Sequence, residues 1–222
     1  MLRESLLRSR HRTATVLLAF VAAGSSRAGA ENPPAEWNIV PSESRVTISV
    51  FPAGLLSGTL HTHLFRPENW SGRIAWNAEE PGSVRVEVRF AADSLRDRQE
   101  KLSASDVARV EAQVRSARIL DTEKFPEVVF EGKRLEAAEL PPGGSGEFRA
   151  MLVGTMALHG VTRSLRLPIQ GSISESRLEA RGSVSFKQSD FGIKPYSTAL
   201  GSIAVKDEVS VEIELVAMRV AR

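Results

Sequence analysis

Ser83-Val84-Arg85-Val86-Glu87-Val88-Arg89-Phe90 carries an apolar side chain at every second position, with a charged residue between each pair. Successive side chains of a strand point to opposite faces, so this stretch has one apolar face and one charged face. That is the pattern of an antiparallel strand with a core on one side and water on the other. The same alternation recurs at residues 45–50, 148–158, 164–171, 178–186 and 208–217, and shorter candidates lie at 37–40, 59–65, 72–77 and 128–135. About eight to ten strands punctuated by Gly, Pro, Asn and Ser predict a mainly β domain, either a sandwich or a closed antiparallel barrel.

One segment departs from the two-residue period. Between residues 103 and 117, Val107, Val110 and Val114 recur at helical spacing among charged residues. Ser103 followed three residues later by Asp106 supplies a capping-box-like start and an acid in the first turn. The expectation is a single amphipathic helix in a connection, lying across or plugging the β structure. The run Pro141-Pro142-Gly143-Gly144-Ser145-Gly146 reads as a solvent loop between two strands. In Leu158-His159-Gly160, Gly160 supplies the positive φ of a turn between two strands, which makes His159 a turn-stabilising hydrogen-bonder.

The chain has 222 residues, 42% of them hydrophobic and 25% charged, with no cysteine. This is a globular balance, and it excludes disulfides, thiolate metal clusters and thiol nucleophiles. Residues 1–30 read as a secretory signal peptide: Arg3, Arg8, Arg10 and Arg12 precede the apolar run 14–24, and Ala28-Gly29-Ala30 offers a cleavage site. The apolar run falls well short of the ~20 residues that span a bilayer. Cleavage after Ala30 leaves residues 31–222 as one domain, directed to the periplasm or secreted, with no membrane span. The leader takes five of the 29 basic and one of the 27 acidic residues, leaving 24 against 26 and turning a net charge of +2 into −2. No basic run remains outside the leader, so nucleic acid is not an expected partner.

Chemistry-bearing patterns are sparse. His61 and His63 share a face if their segment is a strand, and His159 offers a third imidazole, yet no acidic ligand stands at a diagnostic spacing. The three histidines are weak metal candidates, and no metal or other cofactor is required. Gly143-Gly144-Ser145-Gly146 lacks the helix that follows a hydrolase nucleophile, and Asp190-Phe191-Gly192 lacks the other kinase signatures. No catalytic constellation is found, which argues against an enzyme. The strand pattern alone leaves two interiors open, one packed solid and one holding a slender ligand.

A series of short motifs resembles the YceI-like family of exported, lipocalin-like barrels associated with polyisoprenoid binding. In order they are Ser44-Arg45-Val46-Thr47-Ile48, Gly54-Leu55-Leu56-Ser57, His61-Thr62-His63, Ser71-Gly72-Arg73-Ile74 and Ile119-Leu120-Asp121. Phe125 to Phe130, Gly154 to Arg163, Asp190-Phe191-Gly192-Ile193 and Val205 to Val209 complete the set. The chain departs from the family pattern at Ile48, where an aromatic is common, and at Gln188, where an arginine is frequent. The resemblance implies a single antiparallel barrel of about eight strands with a long apolar tunnel for a polyprenyl chain or quinone, held for storage or transport. It also implies which apolar faces look inward: Val84, Val86, Val88 and Phe90; Leu152 and Met156; Leu165 and Leu167; Val184 and Phe186; Val211 and Ile213. A non-catalytic interaction barrel with a packed core, or a His-based metal-binding barrel, is the alternative, and a homodimer is left open.

N-terminal sequencing of exported protein is expected to start at or within a few residues of Glu31. Full-length protein with Met1 intact in the cytosol would overturn the leader assignment.

Overall fold

The structure is a computed structural model that describes residues 33–77, 80, 82–198 and 201–221. The proposed leader, residues 1–30, lies outside the described residues. In chain order the elements are β1 (Ala35–Ile39), β2 (Arg45–Ala53), β3 (His63–Pro67), β4 (Trp70–Trp76), β5 (Ser83–Ala91), β6 (Leu95–Asp97) and α1 (Ala104–Arg115). They continue with β7 (Glu127–Glu139), β8 (Gly146–Leu158), β9 (Val161–Ile173), β10 (Arg177–Lys187), β11 (Ser197–Thr198) and β12 (Ile203–Arg219). Neighbouring strands run antiparallel in the order β1-β4-β5-β7-β8-β9-β10-β12, and β12 returns to β1 through Trp37 opposite Arg219 and Ile39 opposite Ala217. Eight strands therefore close on themselves. Of the two architectures compatible with the strand pattern, the chain adopts the barrel, with its one helix in the connection between β6 and β7.

Of the remaining strands, β2, β3 and β6 extend three staves of this ring, and β11 pairs with the start of β12. β12 pairs with β1 near its end and with β2 along most of its length, β2 pairs with β3, and β3 with β6. Thus β1 with β2, β3 with β4 and β5 with β6 each form one long stave with a break in it. The break at residues 41–43 shows how continuity is kept: Pro41 opens a 3-10 turn, and Ser44 Oγ donates to the Val40 carbonyl at 2.7 Å while accepting from Val216 N–H at 2.9 Å. A side-chain hydroxyl replaces the ladder bond that the kink removes.

Local chemistry fixes the turns. His159 (φ 51°) and Gly160 (φ 74°) form the two-residue link between β8 and β9, with both central residues at the positive φ that a type I′ hairpin requires. Gly192 (φ 74°) ends the turn after β10, so Asp190-Phe191-Gly192 is a bend and Phe191 is a buried anchor, 1% exposed, edge-on to Phe186. At α1, the Ser103 hydroxyl accepts from Asp106 N–H at 3.1 Å, the N-terminal cap anticipated from the sequence. The helix is half-buried: Val110 and Val114 rest on the cluster around Phe65, Leu95, Ile119 and Leu120. One expected strand is shorter than its pattern. Residues 57–59 form a 3-10 turn, held by Thr59 N–H and Oγ1 both donating to the Leu56 carbonyl, so the strand begins only at His63 and His61 precedes it.

Gly171 on β9 stands where a Cβ would run into the backbone carbonyl of Glu179 on β10. Gly171→Ala is expected to cost roughly 2–3 kcal/mol, because backbone rather than a mobile side chain must shift. By thermal denaturation that is a fall in Tm of about 4–10 °C. Gly58→Ala, which meets open space, is the control and should melt with the parent.

Candidate functional site

The barrel is not filled. Its inward faces enclose a cavity of about 740 Å³ that runs from α1 at one end to Leu140, Pro141, Ile173 and Leu178 at the other. This lies within the roughly 300–1,000 Å³ range of small-molecule sites. The alternation seen in the sequence decides the wall, since every second side chain of a closed sheet must point in. Val84, Val86, Val88, Phe90, Leu152, Met156, Leu165, Leu167, Val184, Phe186, Val211 and Ile213 all line this cavity. Val84, Leu152, Met156 and Leu167 are buried, whereas the others are half-buried even though they face the barrel interior. An interior packed solid by interlocking side chains is therefore not what these strands build.

Further wall residues come from segments whose strand pattern was legible but whose inward face was not identified, namely Val46, Ile48 and Val50 on β2, Phe65 on β3 and Phe130 on β7, and Val209 extends the assigned face of β12. The helix closes one end, with Asp106, Arg109, Val110, Gln113 and Val114 facing the cavity at helical spacing.

Polarity gathers at that same end. Thr59, His61, His63, Asp106, Arg109, Gln113, Gln188 and Tyr196 reach the cavity around α1 and the adjoining loops. His63 is tied into the fold through a buried carboxylate. Its Nδ1 donates to Asp97 Oδ2 at 2.6 Å, and Asp97 Oδ1 accepts from Leu64 N–H at 3.3 Å and Gln99 N–H at 3.1 Å. The Asp97 side chain is fully buried. Burial pushes its carboxyl up, but the hydrogen bond and charge of His63 together with the two backbone N–H groups outweigh this and hold it below the usual carboxylate range. Glu111 of α1 accepts from Asp97 N–H at 3.1 Å and so fastens the helix to the same spot.

His159 lies elsewhere. At the β8–β9 turn its Nδ1 donates to the Phe191 carbonyl at 3.2 Å and its ring meets Phe125 edge-on. The three histidines are thus not brought together. Among the described residues no group of three or more His, Cys, Asp or Glu side chains is placed to hold a metal ion.

The YceI-like domain model matches residues 37–217. No curated protein matches the chain. Among solved structures, the barrel is similar to BcnA of Burkholderia cenocepacia, at 16% identity and a TM-score of 0.58, covering 80% of this chain and 98% of that one. It is also similar to a polyisoprenoid binding domain from Saccharophagus degradans implicated in plant cell wall breakdown, at 13% identity and TM-score 0.56, covering 85% and 100%. A Campylobacter jejuni YceI protein follows at 13% identity and TM-score 0.51, covering 71% and 85%. At these identities the likeness is one of fold.

Because its pKa is lowered in the folded state, the Asp97 carboxylate stabilises the protein above the ordinary carboxylate range near pH 3.9, and this contribution is lost as pH falls through the lowered value. Asp97→Asn is expected to cost roughly 1–3 kcal/mol at neutral pH. The gap to the parent in a series of denaturant titrations should narrow progressively below about pH 4. A gap that stays constant into acid would mean that the charge of Asp97 contributes nothing.

Proposed function

The chain belongs to the YceI-like domain family, and from that premise we propose that its barrel is a binding module that takes an isoprenoid-type lipid, a polyprenyl chain or a prenylated quinone, into the tunnel. The observation that carries this reading is the unfilled apolar interior of about 740 Å³. A wall of Val, Leu, Ile, Phe and Met side chains gains nothing from water and gains contacts from an apolar chain laid along it. Burial of such a chain contributes about 0.8 kcal/mol per methylene-sized unit, so affinity grows with the length enclosed and needs few polar contacts. The polyisoprenoid binding named for the Saccharophagus degradans domain points the same way.

The protein is read as a carrier or store rather than a catalyst. The polar side chains that reach the cavity at the α1 end are largely taken up in holding the structure. Asp106 is bonded to Ser103 and Arg109, Gln188 Nε2 donates to the Lys206 carbonyl at 2.8 Å, and His63 is bonded to Asp97. The proposed site of action is the periplasm or the extracellular space, on the strength of the leader-like residues 1–30, with residues 31–222 as the working domain.

Native mass spectrometry and organic extraction of the purified mature protein are expected to show a co-purifying prenyl lipid. Leu167, buried and on the cavity wall, gives the contrast. Leu167→Trp should block uptake while the fold survives, because the added rings have an open volume to occupy. A filled core would instead lose about 1–3 kcal/mol to overpacking. A parent protein that carries no lipid and takes up no prenyl quinone would defeat the reading.

A further inference from the structure

The cavity is polar at one end, and His63 is the side chain there that is backed by a fully buried carboxylate. Arg109 is largely solvent-exposed and paired with Asp106, and His61 is exposed on the segment before β3. His63 instead sits on the wall with its side chain 22% exposed, held from behind by the buried Asp97. A carboxylate accepts only, and Asp97 already receives two backbone N–H groups on Oδ1, so the His63 nitrogen 2.6 Å from Oδ2 must be the one that carries hydrogen. Nδ1 is thereby spent. The second ring nitrogen, Nε2, has no hydrogen-bond partner among the described residues. In a neutral imidazole with hydrogen fixed on Nδ1, Nε2 offers a lone pair, which is an acceptor.

We propose that the α1 end of the tunnel is a head-group subsite for a hydroxyl-bearing prenyl lipid, a prenyl alcohol or the reduced, hydroxylated form of a prenyl quinone, whose O–H donates to His63 Nε2. This rests on the reading of the barrel as an isoprenoid-binding module and adds to it which end of the lipid lies where and what chemistry the head must have. His63 is the contacting residue and Asp97 the positioning residue that fixes the tautomer and the ring. The apolar wall beyond offers a hydroxyl no equivalent partner, because Phe65, Phe130, Leu152 and Met156 contribute only carbon or thioether surface. A lipid whose head has only carbonyl or ether oxygens finds an acceptor facing an acceptor at Nε2, and loses the hydrogen bond.

The test compares a long all-trans prenyl alcohol with its methyl ether, a pair differing only in the O–H, by native mass-spectrometric titration of delipidated mature protein in mildly alkaline buffer. The alcohol is expected to bind about fivefold to tenfold tighter, as one partly buried hydrogen bond supplies. Two variants separate the ring nitrogens. His63→Asn keeps an N–H near Nδ1 for Asp97, and so protects the fold, but removes the acceptor. It should bind alcohol and ether alike, at the level of the ether on the parent. His63→Gln restores an acceptor near the Nε2 position and should recover most of the preference. Equal binding of alcohol and ether by the parent, or an undiminished preference in His63→Asn, overturns the subsite and leaves the lipid-binding reading standing. Binding of neither probe overturns both.

Discussion

Everything else in this molecule depends on the closure of β12 onto β1. A barrel whose interior held interlocking side chains would be fixed by packing. Here the interior holds an open cavity of about 740 Å³, so packing across the middle is not what holds the walls apart. The hydrogen-bonded ladder does so, continuous around eight staves and without a free edge in the ring, reinforced by two apolar clusters that take in wall residues such as Leu152, Leu167 and Met156.

The two clusters do different work. One gathers Trp37, Trp76, Phe148 and Leu178 where β1 meets β12, so the seam that closes the ring is also a packed core. The other gathers Phe65, Ile119, Leu120, Phe191 and Ile193, with Val110 and Val114 of α1 packed against it. The breaks are mended individually, as by the Ser44 hydroxyl at the β1–β2 kink. Outside, paired charges run across the strands, Arg73–Glu87 between the neighbours β4 and β5 and Arg166–Glu136 from β9 over β8 to β7. Being exposed, each adds little to stability, and they serve mainly to mark the outward face as wet.

The sequence made the barrel legible through its period. All six segments recognised by alternation are strands, the four shorter candidates each overlap one, though that at 59–65 only from His63, and the capping signal at Ser103 marks the start of the only long helix among the described residues. The two elements that escaped notice, β6 with three residues and β11 with two, are too short to carry a period. Periodicity alone did not choose barrel over sandwich, because the pairing of β1 with β12 is a contact that no local pattern encodes; the ordered motifs of the family resemblance made that choice. The site was legible only in its apolar part. Alternation shows which residues share a face, so a wall of inward side chains could be assembled strand by strand. The Asp97–His63 pair left no such trace: the partners are 34 residues apart, and Asp97 belongs to a strand too short to register. The expectation that His61 and His63 share a strand face failed for a local reason, because side-chain and backbone bonds to the Leu56 carbonyl wind residues 57–59 into a turn.

A tunnel that is apolar along its length and polar at one end orients whatever lies in it. Take an amphipathic lipid under the proposed reading and insert it either way round. With the head at the α1 end, its polar atoms meet His63, Gln113 and the water that reaches the exposed rim, while the tail lies against Val86, Phe130 and Leu167. Reversed, the same head is set among Leu140, Phe148, Ile173 and Leu178, where an unpaired hydroxyl costs about 1–3 kcal/mol on the scale of protein mutations. A difference of that size is a preference of roughly fivefold to more than a hundredfold for one direction. The walls need not move to enforce it. A lipid that binds only the native barrel stabilises it further, by RT ln(1 + L/Kd) at free lipid concentration L. Direction and capacity thus come from separate parts of the chain: the alternating strands set how much apolar length can be buried, and the few polar residues around α1 set which end stays near water.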